Sequence, residues 1–401
     1  MNSTPLANRK HIAVFGNMNS GKSSLVNALT GQEISIVSPV RGTTTDPVKK
    51  TMELIPFGPV VFIDTAGLND VGELGRARAE KSKAVLRETD FALYILDAED
   101  PDTLALKEMT VLFKDYSTPF FVVINKEDKV GEEGLENLKR QFPEALMVSA
   151  AAGTGIDELR QKLAERLQKE AEDAPLVGDL LPYGAKVILV VPVDSEAPKG
   201  RLILPQVQVI RDCLDHGIKS YVVRDTELES ALRDIPDADL VITDSQAFAK
   251  VSSIVPDHIK LTSFSMILAR QKGNFDVFLK GAESIDKLAP DAHILVSEAC
   301  THNHTHEDIG RIKIPRLLNQ YTGHTLHYDF CAGHDFPENL KDYSLVVHCG
   351  ACMINRKALS SRLYECRKAG IPVTNYGILL AKLNGILERT VEIMEYGIDK
   401  K

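Results

Sequence analysis

The sequence predicts an α/β protein of three domains, each built around a mainly parallel sheet. Short β-branched apolar runs alternate with helical periodicities along most of the chain, which is the pattern of strands joined by crossover helices. At 401 residues the chain is also longer than one domain usually is. Proline and glycine interrupt the periodicity near residues 174–184, where we place the first boundary. The predicted domains are 1–174, 185–265 and 270–401.

Composition and charge exclude several classes of protein. Apolar residues make up 44% and charged residues 26%, as in globular chains, and no apolar run approaches the ~20 residues that cross a bilayer. Without a membrane span or a signal-peptide core, we expect a cytoplasmic protein. A net charge of −9 argues against a nucleic-acid partner. The six cysteines avoid the first half of the chain, unlike those of a disulfide-stapled secreted protein, and they raise the question of metal chemistry.

A phosphate-binding loop follows the first apolar run. Gly16-x-x-x-x-Gly21-Lys22-Ser23 lies between a β-branched strand pattern and a helical one. In such a loop, backbone N–H groups contact phosphates, the lysine neutralises the β and γ oxygens, and the serine ligates magnesium. The residues predicted to contact the nucleotide here are Gly16, Asn19, Ser20, Gly21, Lys22, Ser23 and Ser24.

Three further motifs, in the order expected of a guanine-nucleotide site, follow other strand patterns. Asp64-Thr65-Ala66-Gly67 offers a carboxylate for magnesium and a glycine N–H for the γ-phosphate. The motif Asn125-Lys126-Glu127-Asp128 offers, in Asp128, an acceptor for the two neighbouring donors of guanine, which adenine lacks. Ser149 and Ala150 can supply a backbone contact to the guanine oxygen. The first domain is therefore predicted to be a P-loop GTPase domain that binds GTP and Mg²⁺.

Together these motifs resemble the TrmE–Era–EngA group of GTPases across residues 8–172. The resemblance implies that Thr44, in the run Gly42-Thr43-Thr44-Thr45-Asp46, ligates magnesium and the γ-phosphate, although Thr45 replaces the usual arginine. It further implies catalytic roles for Lys22, Thr44 and Gly67. Asn19 stands where potassium-activated members have a cation-binding asparagine, so K⁺ is a candidate cofactor; the alternative is that Asn19 only caps the loop.

Hydrolysis is expected to be slow. Ras-like enzymes have a water-orienting glutamine directly after the glycine of this motif, whereas this chain has Leu68, which cannot hydrogen-bond a water molecule. Glu73 is an alternative for orienting the water, although a solvated loop carboxylate is the commoner state.

A second set of candidate ligands gathers near the carboxyl end of the chain. Cys300 follows one strand pattern, and Cys349-x-x-Cys352 follows another. The carboxyl ends of parallel strands meet at one sheet edge, so three sulfurs can converge there. The candidates for a fourth ligand are His302, His348 and Glu298. The residues alone leave open an iron–sulfur cluster, zinc, or unligated cysteines.

The remaining cysteines do not fit this set. Cys213 and Cys366 lie in helical patterns and are predicted to pack in the core. Cys331 follows another strand pattern and could reach the same sheet edge, but it falls outside the pattern that carries the resemblance given next and is not predicted to be a ligand.

The pattern Cys300-x-His302 followed by His348-Cys349-x-x-Cys352, behind such a GTPase domain, resembles the FeFe-hydrogenase maturation GTPases over the whole chain. The resemblance implies a 4Fe-4S cluster on Cys300, Cys349 and Cys352, a dimerisation domain over 185–265 and a cluster domain over 270–401. It also implies a homodimer that carries a two-iron precursor, with radical-SAM maturases and apo FeFe-hydrogenase as partners. The alternatives are a zinc-stabilised GTPase and an RNA- or ribosome-associated one.

Overall fold

The chain divides into two compact units, Met1–Glu172 and Asp173–Lys401. Our computed structural model describes residues 6–31, 48–65, 82–169, 174–192, 202–272, 275–299, 308–333, 335–337 and 339–395. The second and third predicted domains both lie in the second unit, so their separation stays a prediction. No helix in these described stretches is long and apolar enough to cross a membrane.

The first unit contains a six-stranded sheet with strand order β2-β3-β1-β4-β5-β6. All neighbouring strands are parallel except β2, which runs antiparallel to β3. The strands are β1 Lys10–Gly16, β2 Val48–Leu54, β3 Gly58–Asp64, β4 Phe91–Asp97, β5 Phe120–Asn125 and β6 Leu146–Met147. The helices described in this unit are α1 Lys22–Thr30, α2 Thr103–Asp115, α3 Glu132–Gln141 and α4 Ile156–Lys169.

Both faces of this sheet are buried, which explains its continuous apolar strands. Along β1, Ile12 and Val14 pack in one hydrophobic cluster, with α1 and α4. Ala13 and Phe15 pack in another cluster, which includes Phe113 of α2 and a residue of α3. Side chains alternate across a strand, so an apolar residue is needed at every position when helices cover both faces.

The second unit contains two four-stranded sheets, with orders β10-β9-β7-β8 and β12-β11-β13-β14. Every strand pair in both sheets is parallel, as predicted for this α/β fold. The strands are β7 Lys186–Val190, β8 Lys219–Val223, β9 Leu240–Thr243, β10 Lys260–Ser263, β11 His293–Glu298, β12 His327–Ala332, β13 Leu345–His348 and β14 Val373–Asn375. The α-helices described here are α5 Leu204–Asp215, α6 Leu228–Asp234, α7 Phe248–Ile254, α8 Phe264–Lys272, α9 Phe275–Glu283, α10 Ile314–Thr322, α11 Arg356–Ala369, α12 Tyr376–Leu383 and α13 Leu387–Glu395.

One hydrophobic cluster runs through both sheets of the second unit and contains the buried Cys213 and Cys366, which confirms their predicted packing role. In the second sheet, Ser297 of β11 pairs in register with His348 of β13, and His348 pairs with Asn375 of β14. The carboxyl ends of these three strands therefore meet at one edge, where the segments with the predicted metal ligands begin.

Candidate functional site

The phosphate-binding loop of the first unit is held by its own lysine. Lys22, at the start of α1, is only 4% exposed, and its Nζ donates to the carbonyl oxygens of Gly16 at 2.9 Å and Asn17 at 2.6 Å. These bonds curve the loop around the ammonium group. Ser23 is half-buried, whereas Asn19 on the loop and Ser24 in the first turn of α1 are exposed. A lysine held in this way is a fixed positive charge that a phosphate group can approach.

Glycine is required at Gly21 by both backbone conformation and close packing. Gly21 has a φ of +89°, in the left-handed region that favours glycine. A Cβ atom at this position would lie 2.2 Å from Nδ2 of Asn125. The loop can approach β5 this closely only because residue 21 has no side chain.

Asn125 links the loop to the predicted base-binding segment. Its Nδ2 donates to the Ser20 carbonyl oxygen at 3.0 Å, and its Oδ1 accepts from Ala150 N at 3.0 Å. Its neighbour Lys126 pairs with Asp97 at 2.5 Å. The carboxylate of Asp128 is exposed, so a guanine base can reach it. Three of the predicted motifs thus meet around one asparagine.

The remaining nucleotide-site residues are divided between described and undescribed segments. Asp64 is buried at the end of β3, in register with Val14 of β1. The buried Ser149 accepts a hydrogen bond on Oγ from Ala152 N at 3.0 Å, which shapes the turn next to Ala150. The predicted residues Thr44, Gly67, Leu68 and Glu73 lie outside the described residues.

The second candidate site lies at the carboxyl edge of the β11–β13 pair. Cys349 follows β13, and its backbone N donates to Ser297 O at 2.9 Å. The Cys349 sulfur accepts from Ala299 N at 3.0 Å and from Ala351 N at 3.4 Å. Ala299 immediately precedes Cys300 in the sequence. N–H donors directed at a sulfur stabilise a thiolate, the form of cysteine that binds metal.

The loop from Cys349 to Cys352 offers two half-buried thiols that form no disulfide. Burial raises the pKa of Cys352, and the nearby ammonium of Lys272 opposes part of that rise. Among the described residues, no group of three or more His, Cys, Asp or Glu side chains is close enough to hold a metal ion. The predicted ligands Cys300 and His302 lie outside the described part of the chain. The two described thiols and the N–H donors around Cys349 are chemically suited to an iron–sulfur cluster or to zinc.

His348, a predicted candidate for the fourth ligand, is held by other groups. The ring is 1% exposed; Nδ1 lies 2.9 Å from the Cys349 carbonyl oxygen and Nε2 lies 3.0 Å from Arg362 Nη1. Because a carbonyl can only accept and a guanidinium can only donate, Nδ1 carries the proton and Nε2 accepts. Burial, with Arg362 nearby, lowers the pKa of His348 to about 3. In this arrangement neither ring nitrogen offers a free lone pair to a metal.

Glu298, a second candidate for the fourth ligand, is a buried carboxyl group at the end of β11. It is 3% exposed, accepts a hydrogen bond from Tyr376 Oη at 3.4 Å, and lies 3.7 Å from Arg311 Nε. Burial raises the pKa of the Tyr376 hydroxyl well above its usual value, so this group stays a donor. The contacts of Glu298 hold it at the sheet edge.

Arg362 is a buried residue of this site that the sequence reasoning missed. It lies on α11, is 6% exposed, and donates to Ser297 Oγ at 3.1 Å, His348 Nε2 at 3.0 Å and Gly333 O at 2.5 Å. Its guanidinium also covers the ring of Phe336, at 5.2 Å from the centroid. The helical spacing of the sequence could have indicated its burial, because Arg362 falls on the same helix face as the buried Leu359, Leu363 and Cys366.

Comparisons with known proteins were made for the whole chain. Two family models described as the hydrogen maturase F dimerization and tetramerization domains match residues 176–273 and 276–393, together more than half of the chain. A third model, described as a 50S ribosome-binding GTPase, matches residues 11–126. The first unit is therefore a GTPase domain, and the second contains two regions related to oligomerisation domains.

Curated relatives match the first part of the chain. A tRNA modification GTPase MnmE from Ralstonia nicotianae is 36% identical over 39% of this chain and 34% of its own length. GTPase Der from Helicobacter hepaticus is 32% identical over 44% of this chain and 38% of its own length. GTPase Era from Heliobacterium modesticaldum is 31% identical over 39% of this chain and 54% of its own length. The chain thus spans about a third to a half of the length of these relatives.

Proposed function

The chain belongs to the hydrogen maturase F family, and we propose that it is a GTP-hydrolysing scaffold for hydrogenase maturation. In this proposal it binds a 4Fe-4S cluster and delivers a two-iron precursor, its cargo, to apo FeFe-hydrogenase. The observation that carries the proposal is the contact between Cys349 Sγ and Ala299 N at 3.0 Å. It brings the Cys349–Cys352 loop to the residue that precedes Cys300.

In the nucleotide site, Lys22 binds the β- and γ-phosphates, and the N–H groups of residues 19–24 surround them. Ser23 and Asp64 hold Mg²⁺, with Thr44 as a further ligand. Mg²⁺ neutralises the charge that develops on the phosphate oxygens during hydrolysis. Asn125 keeps the loop and the base-binding segment together, and Asp128 accepts the guanine donors. Lys126 and Ser149 support this segment, and Ala150 lies where its backbone can contact the guanine oxygen.

Hydrolysis is slow in this proposal, because Leu68 replaces the water-orienting glutamine of Ras-like enzymes. Asn19 is exposed on the loop with a φ of +62°, where its side-chain oxygen is accessible to K⁺. K⁺ then contributes a fixed positive charge near the phosphates. Faster hydrolysis in potassium than in sodium, lost in Asn19→Ala, would support this role, and equal rates in the two salts would remove it.

In the cluster site, Cys300, Cys349 and Cys352 would hold the cluster through their thiolates. The cluster supplies an electron-transfer centre and an anchoring point near which the two-iron cargo is held. For the fourth position we favour His302 or Glu298 over His348, because both ring nitrogens of His348 have partners in the structure. Arg362 holds His348 in its neutral tautomer beside Cys349.

The oligomer in this proposal is a homodimer formed through the segment matched by the dimerization model. The match to a tetramerization model supports further association of such dimers. The protein acts with radical-SAM maturases and transfers the cargo to the hydrogenase. We expect no nucleic-acid partner, because the net charge of −9 opposes binding to a polyanion.

The experiment that tests this function is an anaerobic transfer assay. Reconstituted protein is loaded with the two-iron precursor, repurified and mixed with apo FeFe-hydrogenase, and hydrogen evolution is measured. We expect wild-type protein to activate the hydrogenase and Cys349→Ala to lose nearly all of this ability. The matched control is Cys331→Ala, which removes another thiol of the same sheet and is expected to behave as wild type. Full activation by Cys349→Ala would refute the proposal.

A further inference from the structure

Lys272 is a buried cation that none of the sequence motifs includes. It is the last residue of α8 and is 6% exposed. Its Nζ donates to the carbonyl oxygens of Ala351 at 3.3 Å and Ile354 at 3.2 Å. A lysine is rarely buried to this degree unless its charge has specific partners. Here the partners are backbone atoms of the loop that contains Cys349 and Cys352.

The loop that Lys272 contacts has an unfavourable backbone conformation. Ala351, between the two cysteines, has a φ of +55°, in the left-handed region that is unfavourable for a residue with a side chain. Ala351 is also buried, and its N–H donates to the Cys349 sulfur at 3.4 Å. Such a conformation persists only when surrounding groups hold it. The bond from Lys272 to the Ala351 carbonyl oxygen is one of those restraints.

Helix α8 is fixed next to the same sheet edge at its other end. In its first turn, the Ser265 carbonyl oxygen accepts a hydrogen bond from Asn375 Nδ2 at 3.2 Å. Asn375 pairs in register with His348, which precedes Cys349. The Ser265 hydroxyl also bonds to Ser245 Oγ at 2.6 Å. Because both ends of α8 are fixed, the helix holds Lys272 in place against the loop.

We infer that Lys272 is a positioning residue that holds the Cys349–Cys352 loop in its metal-binding conformation and balances the negative charge of the thiolates. This rests on the proposed function, in which these cysteines bind the cluster. Lys272 falls in the segment matched by the dimerization model, and the loop falls in the segment matched by the tetramerization model. The dimerization segment thus contributes a residue to the metal site.

If the charge of Lys272 matters, its removal changes the midpoint potential of the cluster in a predictable direction, which a purely structural role would not require. A fixed positive charge next to a cluster favours its reduced state, which carries one more electron. Removing the charge therefore shifts the midpoint potential of the cluster to a more negative value. If Lys272 acted only through its two hydrogen bonds, its loss would loosen the loop and weaken metal binding. It would not require the midpoint potential to become more negative.

The test compares Lys272→Met with Lys272→Arg, and with Lys280→Met as the matched control, since Lys280 is an exposed lysine of α9. Binding of Co²⁺ by the metal-free full chain is followed through the thiolate-to-cobalt absorption band. Replacing groups that orient metal ligands commonly costs about 10- to 100-fold in affinity. We expect at least about a tenfold weaker affinity for Lys272→Met, most of it recovered in Lys272→Arg, and wild-type affinity for Lys280→Met.

The second measurement is the midpoint potential of the reconstituted cluster. We expect a more negative value in Lys272→Met and a value close to wild type in Lys272→Arg. If Lys272→Met does not fold, the neutral donor variant Lys272→Gln is expected to show the same negative shift. Wild-type affinity and potential in Lys272→Met, or a wild-type potential in Lys272→Gln, would overturn the inference. Failure of the wild-type protein to bind either Co²⁺ or a cluster would instead refute the proposed function.

Discussion

The two candidate sites of this protein are built in different ways. In the nucleotide site, side chains of motif residues bond to nearby main-chain atoms, as Lys22 does with Gly16 and Asn17. In the candidate metal site, Lys272 of α8 bonds to the Cys349–Cys352 loop, and Arg362 of α11 bonds to His348, which precedes this loop. Separate short motifs encode the first site, and Asn125 joins two of them by bonding to the Ser20 carbonyl oxygen. The second site depends instead on the packing of side chains that belong to no motif.

The largest expected effect comes from removing the cation of the nucleotide site. Lys22→Ala loses the charge that neutralises the phosphates and the two bonds that shape the loop. We expect the rate of GTP hydrolysis to fall by about a thousandfold, or about 4 kcal/mol, as when other transition-state donors are removed. Phosphate release measures this effect. Lys139→Ala, at an exposed lysine of α3, is the control, and equal rates in the two variants would contradict the role of Lys22.

The next largest expected effect is a loss of stability when the buried Arg362 is replaced. Arg362→Met leaves acceptors at His348, Ser297 and Gly333 without their donor. We expect the second unit to lose about 3 kcal/mol of unfolding free energy, the usual cost of leaving buried polar groups unpaired. Urea unfolding of the metal-free protein measures the loss. The control is Arg367→Met, at an exposed position of the same helix, which should change the unfolding free energy little. A similar loss in Arg367→Met would show that helix propensity, and not the burial of Arg362, is responsible.

A glycine substitution separates conformational strain from close packing in the phosphate-binding loop. Gly21→Ala imposes a left-handed φ on alanine and places a Cβ 2.2 Å from Asn125 Nδ2. Gly31→Ala imposes a similar φ of +65°, but the added Cβ meets no atom within 4 Å. We expect about 2 kcal/mol of destabilisation for the first and about 1 kcal/mol for the second. If chemical denaturation showed the same loss of unfolding free energy in Gly21→Ala and Gly31→Ala, the close contact with Asn125 would carry no energetic cost.

The smallest expected effect concerns a surface ion pair of the second unit. The hydrogen bond from Lys382 at 2.6 Å, and a further one from Tyr321, hold the pKa of Asp286 below its usual value. Since Asp286 is about half exposed, its contribution to stability is only about 0.5 kcal/mol after screening by solvent. A lowered folded-state pKa stabilises the protein above the unfolded pKa of about 4, and this contribution is lost as the pH falls below it. Asp286→Asn should therefore be less stable than wild type at pH 7, and the difference should shrink as the pH falls below about 4 and through the lowered folded-state pKa of Asp286.

The sequence predicted the fold class because the central strands of the parallel sheets, such as β4, β9 and β13, are mainly apolar and buried. It also predicted that the motifs of Gly21 and Asn125 come together, since each follows a strand of a parallel sheet. It could not predict the pairing of Lys272 with Ala351, because these residues lie far apart in the sequence and only the docking of α8 brings them together. The roles of His348 and Arg362 depend in the same way on packing. The sequence places an imidazole next to a cysteine, but it does not show that the Arg362 guanidinium bonds to the Nε2 atom of that imidazole.

In the proposed function, this chain carries a 4Fe-4S cluster site whose residues are separate from those of its GTPase site. The most direct measurement is EPR of the reduced, anaerobically reconstituted protein beside Cys300→Ala, Cys349→Ala and Cys352→Ala, with GTP hydrolysis measured on the same samples. We expect a cubane 4Fe-4S signal in the wild type, its loss in each variant, and unchanged hydrolysis. A wild-type protein that shows no such signal and retains zinc through the same cysteines would contradict the account.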